Sequence, residues 1–236
     1  MKKCIYVKIS DVTFKLLLSN PRLEEFYEGF ISPPEDDAVE IEVSEEMIGS
    51  YSGKSRSAAE VFWQGKLVCD GLVKRGSMIF HGCAFQWKDK AYIFAAPSGT
   101  GKTTQFMLWD KLYGEEVHIL NGDKPVLEIR DEAVFVRPSP WCGKERMKQM
   151  CSAPLEGIIY LRQADENRIE PMEAKRAAQY IFEQVLFSAP DGETVDAAAK
   201  LTEKLIDSVK LWQMDNKGDE ASATLCHDTL EGSCNG

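Results

Sequence analysis

The order of apolar and polar positions along the chain predicts a mixed α/β protein. Near the N-terminus, residues 4–8 alternate weakly, residues 13–18 are apolar, and residues 38–43 alternate strictly, which predicts three strands. Pro21 is expected to open a short helix, because proline is favoured at the first helical position. Residues 57–73 carry apolar side chains at helical spacing and predict an amphipathic helix that includes two glycines.

The pattern becomes sharper after residue 77. Residues 78–87 and 91–96 are apolar on both faces, which predicts a buried hairpin. Alternation in its first strand places His81 on the same face as Cys83. The remaining elements are predicted as a helix ended by Gly114, a strand over 117–123, a hairpin over 125–137, a strand over 157–162, helices with apolar stripes over 174–185 and 198–209, a strand over 210–214, and a short helix after Asn216.

Composition narrows the classes of protein that fit this pattern. The 236 residues suit one large domain or one core with a small appendage, and we expect a β-rich N-terminal region over 1–75 and a core over 76–236. The net charge of -10 disfavours nucleic acid or an anionic membrane as the main partner. Seven cysteines without a CxxC pair, beside three histidines, indicate neither a zinc site nor a disulfide framework. We therefore expect a reduced, cytoplasmic protein without a membrane segment.

Residues 96–103, APSGTGKT, carry the strongest chemical signal. They lie between a predicted strand and a predicted helix, and they match the P-loop (Walker A) pattern GxxxxGK[ST] except that Ala96 replaces the first glycine. In such a loop, backbone N–H groups cradle phosphate oxygens, the lysine reaches the β- and γ-phosphates, and the next hydroxyl ligates Mg²⁺. The motif thus predicts a bound nucleotide with Mg²⁺, held by Ser98, Gly99, Thr100, Gly101, Lys102, Thr103 and Thr104; ATP is the expected nucleotide of the kinase interpretation given below.

Two further residues are candidates for the same site. Asp123 follows Lys102 after one helix and one strand, so its carboxylate would lie beside the loop if the two strands are neighbours. There it could bind Mg²⁺ together with Thr103, or accept a proton from an attacking hydroxyl. The alternative is a plain turn aspartate, because Asn-Gly-Asp is a frequent turn sequence. His81 is either a third catalytic group or a hydrogen-bonded structural histidine.

Taken together, these residues resemble the kinase core of the HPr kinase/phosphorylase superfamily. The resemblance rests on the string FHGCAF around His81, on residues 98–103, and on NGDK around Asp123, and it covers residues 75–165 with the last helices more loosely. It implies a P-loop kinase core of the HPr-kinase/PEP-carboxykinase-like type with a small β-rich N-terminal region. Gly122 departs from the family, which has the first of two aspartates there. A single carboxylate, alone or with His81, would then perform the duties of the pair.

The chain's short length and the segment RPSPWCGK are similar to kinases that accompany ribosomally made peptides, including lasso-peptide tail kinases. Other short members resemble free-serine kinases. The resemblance makes residues 137–144 a candidate substrate loop, in which Arg137 and Lys144 would clamp anionic groups and Trp141 would offer a flat apolar platform. Solvated cations in a Pro/Gly-rich loop are the alternative.

The sequence therefore predicts a kinase that transfers the γ-phosphoryl group of ATP to a hydroxyl, with a serine of a peptide or protein as acceptor and free serine or another small molecule as the alternative. Its catalytic residues would be Asp123, His81 and Lys102, and its metal ligands Thr103 and Asp123. The rival is a non-catalytic module that binds a peptide or partner when nucleotide is present, which Gly122 favours. A GTPase or ATPase switch comes third, without a guanine- or water-positioning motif to support it. Neither nucleic acid nor membrane is an expected partner, and a homo-oligomer is left open.

Overall fold

The structure, a computed structural model, describes residues 2–53, 55–131, 133–188 and 191–234. In its N-terminal part, three strands form a sheet in the order β1-β2-β3: β1 (Lys3–Ile9), β2 (Val12–Leu18) and β3 (Val39–Ile41). A 3-10 helix (Pro21–Tyr27) lies between β2 and β3 in the chain, and helices α1 (Glu45–Ser50) and α2 (Arg56–Val73) follow β3.

The rest of the described chain is a mixed α/β arrangement around a nine-stranded sheet. Its strands are β4 (Ser77–Ile79), β5 (Gly82–Trp87), β6 (Lys90–Ala95), β7 (Val117–Asn121), β8 (Val126–Ile129), β9 (Val134–Arg137), β10 (Ala153–Gln163), β11 (Arg168–Pro171) and β12 (Lys210–Asn216). Its helices are α3 (Lys102–Tyr113), α4 (Ala174–Phe182), α5 (Gly192–Ser208) and α6 (Glu220–Cys234), with a 3-10 turn (Gly114–Glu116) after α3.

Strand order decides which chain segments meet at the edge of this sheet. The main path is β4-β8-β9-β10-β6-β5-β7, and β12 pairs with β10 and β11. Strand β5 is antiparallel to both β6 and β7, so β6 and β7 run in the same direction. Their carboxyl ends therefore lie at one edge of the sheet, with the start of β5 between them.

Both faces of this sheet are buried, as the apolar runs predict. Ala84, Ile93 and Ile158 belong to one hydrophobic cluster, which continues through α2 into the N-terminal sheet. Their chain neighbours, among them Phe85 and Phe94, belong to a second cluster on the opposite face, which includes side chains of α3 and α6. Because successive side chains of a strand point to opposite faces, this division follows directly from the alternation. None of the helices in the described ranges combines the length and apolar character that a membrane crossing requires.

Several elements differ from the sequence prediction. The helix at Pro21 is a 3-10 helix, and α1, which was not predicted, begins after Ser44, whose side chain accepts the N–H of Met47. The continuous strand predicted over 78–87 is wrong: β4 pairs with β8, β5 pairs with β6, and His81 lies between them. Here the chain changes partners, since the N–H of Phe80 bonds to the carbonyl of Pro125.

The proposed division at residue 75 stays a prediction. The two sheets do separate along the chain near this position. Helix α2, however, contacts β2 and β3 on one side and β4 and α5 on the other. The hydrophobic cluster around α2 is continuous across the division.

Candidate functional site

The loop over residues 96–103, called the glycine loop below, connects β6 to α3. Gly99 and Gly101 have φ angles of +83° and +104°, a region that residues with a Cβ rarely adopt, and a Cβ at either position would meet no atom within 4 Å. Glycine is thus required for the backbone conformation and not for space. Gly101 is the N-cap of α3, and no side chain caps the helix. The first N–H groups of α3 are therefore left for an acceptor outside the helix.

Lys102 is the charged group of the glycine loop. Its side chain is buried, and Nζ donates to the carbonyl oxygens of Ala96 at 2.8 Å and Pro97 at 3.2 Å. Burial lowers the pKa of Lys102, and the nearby Asp123 carboxylate opposes that shift. The other predicted nucleotide-binding residues line the loop and the start of α3: Ser98, Gly99 and Thr104 are exposed, while Thr100, Gly101 and Thr103 are half-buried.

Asp123 stands in a turn held by the buried Asn121. The Asn121 side-chain oxygen accepts the N–H of Asp123 at 3.0 Å and that of Lys124 at 2.8 Å, while its amide nitrogen donates to Ser139. This is an Asx turn, which the sequence NGD favours. The Asp123 carboxylate, half-buried, forms an ion pair with Lys124. Asp123 therefore lies in a turn, and its carboxylate lies near the groups described next.

His81 joins this turn to the start of β5. Its Nε2 lies 3.5 Å from Oδ1 of Asp123, and the N–H of Gly82 donates to the carbonyl of Asp123 at 2.9 Å. The backbone N–H of His81 donates to the carbonyl of Gln184 at 2.8 Å. The spacing of Lys102 and Asp123 predicts proximity only if β6 and β7 are neighbours, and they are not. Instead β5 lies between them, and its first residues connect the glycine-loop edge to Asp123.

The electrostatic environment keeps His81 neutral at pH 7. Burial lowers the pKa of His81 to about 4, the Lys102 cation acts in the same direction, and the Asp123 carboxylate opposes both. Burial also raises the pKa of the Cys83 thiol to about 12, and this thiol senses Lys102, Asp123 and Glu145. These groups therefore share one electrostatic neighbourhood.

The lowered pKa of His81 predicts a pH-dependent stability. The unfolded chain binds this proton near the ordinary pKa of 6.5, whereas the folded protein binds it only near 4. Stability contributed by the neutral imidazole is thus fully present above pH 6.5 and is lost as the pH falls toward 4. We expect His81→Gln to flatten the decrease in unfolding free energy over this window, measured by urea denaturation at several pH values. His118→Gln, at an exposed position, is the control and should retain the wild-type decrease; an unchanged slope for His81→Gln would contradict the assignment.

The three predicted substrate residues occupy different environments. Arg137 is half-buried, with its Nε 2.5 Å from Oε2 of Glu128. Trp141 is 6% exposed, and its Nε1 donates to the carbonyl of Val61 at 2.9 Å. Lys144 is exposed, and it follows Gly143, where a Cβ would lie 3.1 Å from the Cβ of Asp123. Of the three residues, only Lys144 lies in a turn that is close to Asp123.

Trp141 packs between α2 and the first 3-10 helix. Its ring lies 6.2 Å from that of Tyr27, and a Cβ on Gly65 would meet Nε1 at 2.9 Å. We expect Trp141→Ala to lower the unfolding free energy by about 3–5 kcal/mol, because it removes a large buried side chain. Chemical denaturation measures this loss, and Lys144→Ala should change stability by less than about 0.5 kcal/mol. A loss below about 1 kcal/mol for Trp141→Ala would show that the ring is not part of the core.

Three residues around the site are not predicted from the sequence: Asn121, Gln184 and Glu145. The signal for Asn121 was present, since an asparagine before Gly-Asp favours an Asx turn. Gln184 carried no local signal, because its segment reaches His81 through a bridge between Phe80 and Val185, which are far apart in the chain. Glu145 likewise carried no local signal, because the turn after Gly143 determines its position. There its Oε2 lies 3.4 Å from the position of a Cβ on that glycine.

Comparison with solved structures gives a distant likeness. The chain is similar to an HPr(Ser) kinase/phosphatase. That solved structure, from Coxiella burnetii, matches over 66% of this chain and 97% of its own, with 6% sequence identity and a TM-score of 0.39. No family model matches the chain, and no curated protein matches it either. At this identity and TM-score we take no residue role from the likeness.

Proposed function

We propose that the chain is a phosphotransferase that uses ATP and Mg²⁺ to phosphorylate a hydroxyl group, with a serine of a peptide or protein as the acceptor. The observation that carries the proposal is the convergence of three groups at one edge of the sheet: the glycine loop with Lys102, the Asp123 carboxylate and the His81 imidazole. They are the groups that a phosphoryl transfer needs for anion binding, metal binding and proton removal.

Nucleotide binding follows from the glycine loop. The N–H groups left free at the start of α3 and the positive end of the helix suit phosphate oxygens. Lys102 donates to two loop carbonyls, and a charged phosphate oxygen is a stronger acceptor than a carbonyl. The phosphates of ATP would therefore take over the hydrogen bonds of Lys102.

The residues present fit a magnesium ion that arrives with the nucleotide. The Thr103 hydroxyl and the Asp123 carboxylate are hard oxygen donors, as Mg²⁺ requires. No group of three or more His, Cys, Asp or Glu side chains that could hold a metal occurs in the described part of the chain. This agrees with nucleotide sites, in which one or two carboxylates and the substrate phosphates share the ion. When bound, Mg²⁺ would neutralise charge on the β- and γ-oxygens.

Asp123 is the proposed base. As the acceptor oxygen forms its bond to the γ-phosphorus and the bond to the leaving ADP breaks, the hydroxyl proton would pass to the Asp123 carboxylate. His81 is neutral at pH 7 and lies 3.5 Å from that carboxylate, so it would orient Asp123 and the acceptor without adding positive charge. Because residue 122 is a glycine and not a second acid, Asp123 alone would serve both as the base and as the carboxylate ligand of the metal.

The experiment that tests this function is transfer of labelled γ-phosphate from ATP to a set of serine-containing peptides and to free serine, with and without Mg²⁺. We expect Mg²⁺-dependent transfer to peptide. Transfer to free serine alone would favour the small-molecule kinase. If calorimetry showed ATP·Mg binding but no acceptor were phosphorylated, the nucleotide-dependent binding module would replace the kinase.

A further inference from the structure

Residues 143–150, called the acceptor ridge below, run from the candidate site toward the N-terminal sheet. The ridge begins at Gly143 beside Asp123. It then follows the end of β7, because the N–H of Gly122 donates to the carbonyl of Met147 at 2.9 Å and the N–H of Gln149 donates to Leu120 at 3.1 Å. At its far end, the Met150 side chain lies 3.7 Å from the position of a Cβ on Gly29. One continuous surface thus connects Asp123 to the N-terminal region.

The acceptor ridge carries a net positive charge, because it has three cations and one acid, Glu145. Lys144 and Arg146 are exposed, and the Nζ of Lys148 lies 4.9 Å from the centre of the Phe30 ring. Within the described ranges, none of these three cations forms an ion pair with an acid, although acids outnumber bases by 38 to 28 in the sequence. On the nearby N-terminal sheet, by contrast, Lys8 pairs with Glu35.

Backbone strain in the acceptor ridge also indicates a binding surface. Arg146 has a φ of +52°, in the left-handed region that side-chain-bearing residues rarely adopt. Holding such a residue there costs about 1 kcal/mol or more, and strained positions of this kind cluster at binding and catalytic sites.

The ridge ends at an exposed apolar surface. Met150 is 54% exposed and Ile31 is 48% exposed, two of the few large hydrophobic side chains that face solvent in the described chain. A cleft of about 200 Å³ lies beside them, lined by Lys8, Phe30, Arg137, Met150 and Ser152 among others. The cleft is lined about equally by polar and apolar surface, and its apolar contacts come from Phe30, Pro138 and Met150. Its cations, Lys8 and Arg137, are already paired with acids, and Asp11 also lines it, so the free positive charge lies on the ridge.

We infer that the acceptor ridge docks an acidic peptide segment, which presents its serine at Asp123 and places an apolar side chain in the cleft beside Phe30 and Met150. This inference rests on the proposed function and specifies its substrate class. Complementary charge accelerates encounter and fixes register, and the cleft supplies burial. Free serine carries a single carboxylate and is too short to engage both the cations and the cleft. The N-terminal region would then form one wall of the acceptor site.

Binding tests this inference separately from transfer. Fluorescence anisotropy would compare three labelled peptides of equal length, each with alanine at the acceptor position and one leucine, whose flanking residues are acidic, amide-bearing or basic. We expect the acidic peptide to bind about tenfold more tightly than the neutral one at low salt, and the difference to shrink in high salt. The double change Lys144→Glu and Arg146→Glu should abolish this preference.

Matched controls keep the result interpretable. Lys175→Glu with Lys200→Glu reverses two exposed charges in the groove between α4 and α5, and acidic-peptide binding should stay as in the wild type. Met150→Asp should weaken that binding, whereas Met107→Asp, at a side chain of similar exposure on α3, should not. Equal binding of acidic and neutral peptides, or loss only in the Lys175/Lys200 variant, would overturn the inference.

A parallel transfer assay with the serine forms of the peptides separates the two proposals. Phosphorylation of all peptides with equal KM would leave the kinase intact and remove the acidic docking surface. Tight binding of the acidic peptide without phosphorylation would leave the docking surface intact and remove the kinase.

Discussion

Replacing Lys102 with alanine is expected to weaken ATP·Mg binding by about 10- to 100-fold, since a charged hydrogen bond contributes about 1.5–3 kcal/mol. Transfer should fall further, by about 10³-fold, because the lysine would also stabilise charge that develops on the transferred group. The fold should persist. The hydrogen bonds of Nζ go to the carbonyls of Ala96 and Pro97 in the glycine loop, and burial already disfavours the cation.

Calorimetry with ATP·Mg, a γ-phosphate transfer assay and thermal denaturation together measure these effects. Lys111→Ala is the matched control, because Lys111 lies on the same helix, is exposed and pairs with Glu220 on α6. It should change neither affinity nor transfer. An unchanged ATP affinity in folded Lys102→Ala would remove the nucleotide assignment.

Replacing Asp123 with alanine is expected to lower the transfer rate by about 10²- to 10⁴-fold, the usual contribution of a positioned base. The surrounding turn should survive, because Asn121 holds it through backbone N–H groups and Gly82 bonds to the Asp123 carbonyl. ATP affinity should therefore decrease less than turnover does. Single-turnover transfer measures the rate, and Asp110→Asn, at an exposed position on α3, is the control.

His81 and Asp123 should behave as one catalytic unit. If the imidazole acts by orienting the carboxylate 3.5 Å away, His81→Gln should lower the rate substantially, and adding it to Asp123→Ala should lower the rate little more. The four rates of the double-mutant cycle decide this. Losses that simply multiply would assign His81 a structural role and leave Asp123 to act alone.

Most of the local structure could be predicted from the sequence, whereas the sheet order could not. Alternation and glycines predict β5, β6 and α3, because these signals lie within a few residues. The pairing of β6 with β10 and the insertion of β5 between β6 and β7 join segments far apart in the chain. A strand with two buried apolar faces has the same sequence pattern whichever strand lies beside it, so the pattern does not identify its neighbours.

The same limit applies to the candidate site. The identities of Lys102 and Asp123 follow from a motif and its spacing, and the structure brings both to one electrostatic neighbourhood. The environment of Trp141 does not follow, because the carbonyl that accepts its N–H belongs to Val61, on a helix far upstream. Nor does the pairing of Arg137 with Glu128, since the register of a hairpin decides which charges meet across it.

The place of β6 in the sheet has a consequence for how the protein is made. β5 leaves the ribosome just before β6 and can pair with it at once, but the other neighbour, β10, is synthesised only after α3, β7, β8 and β9. Until then, the strand that leads into the glycine loop is an open edge with apolar side chains on both faces, a surface prone to pairing with other chains. Pairing β10 with β6 closes a long segment of chain, and this closure costs conformational entropy before the contacts between the two strands form. Under the proposed function, ATP would bind the finished loop and would therefore stabilise only the completed sheet. Nascent chains that end before β10 would therefore need a chaperone rather than nucleotide to stay unaggregated.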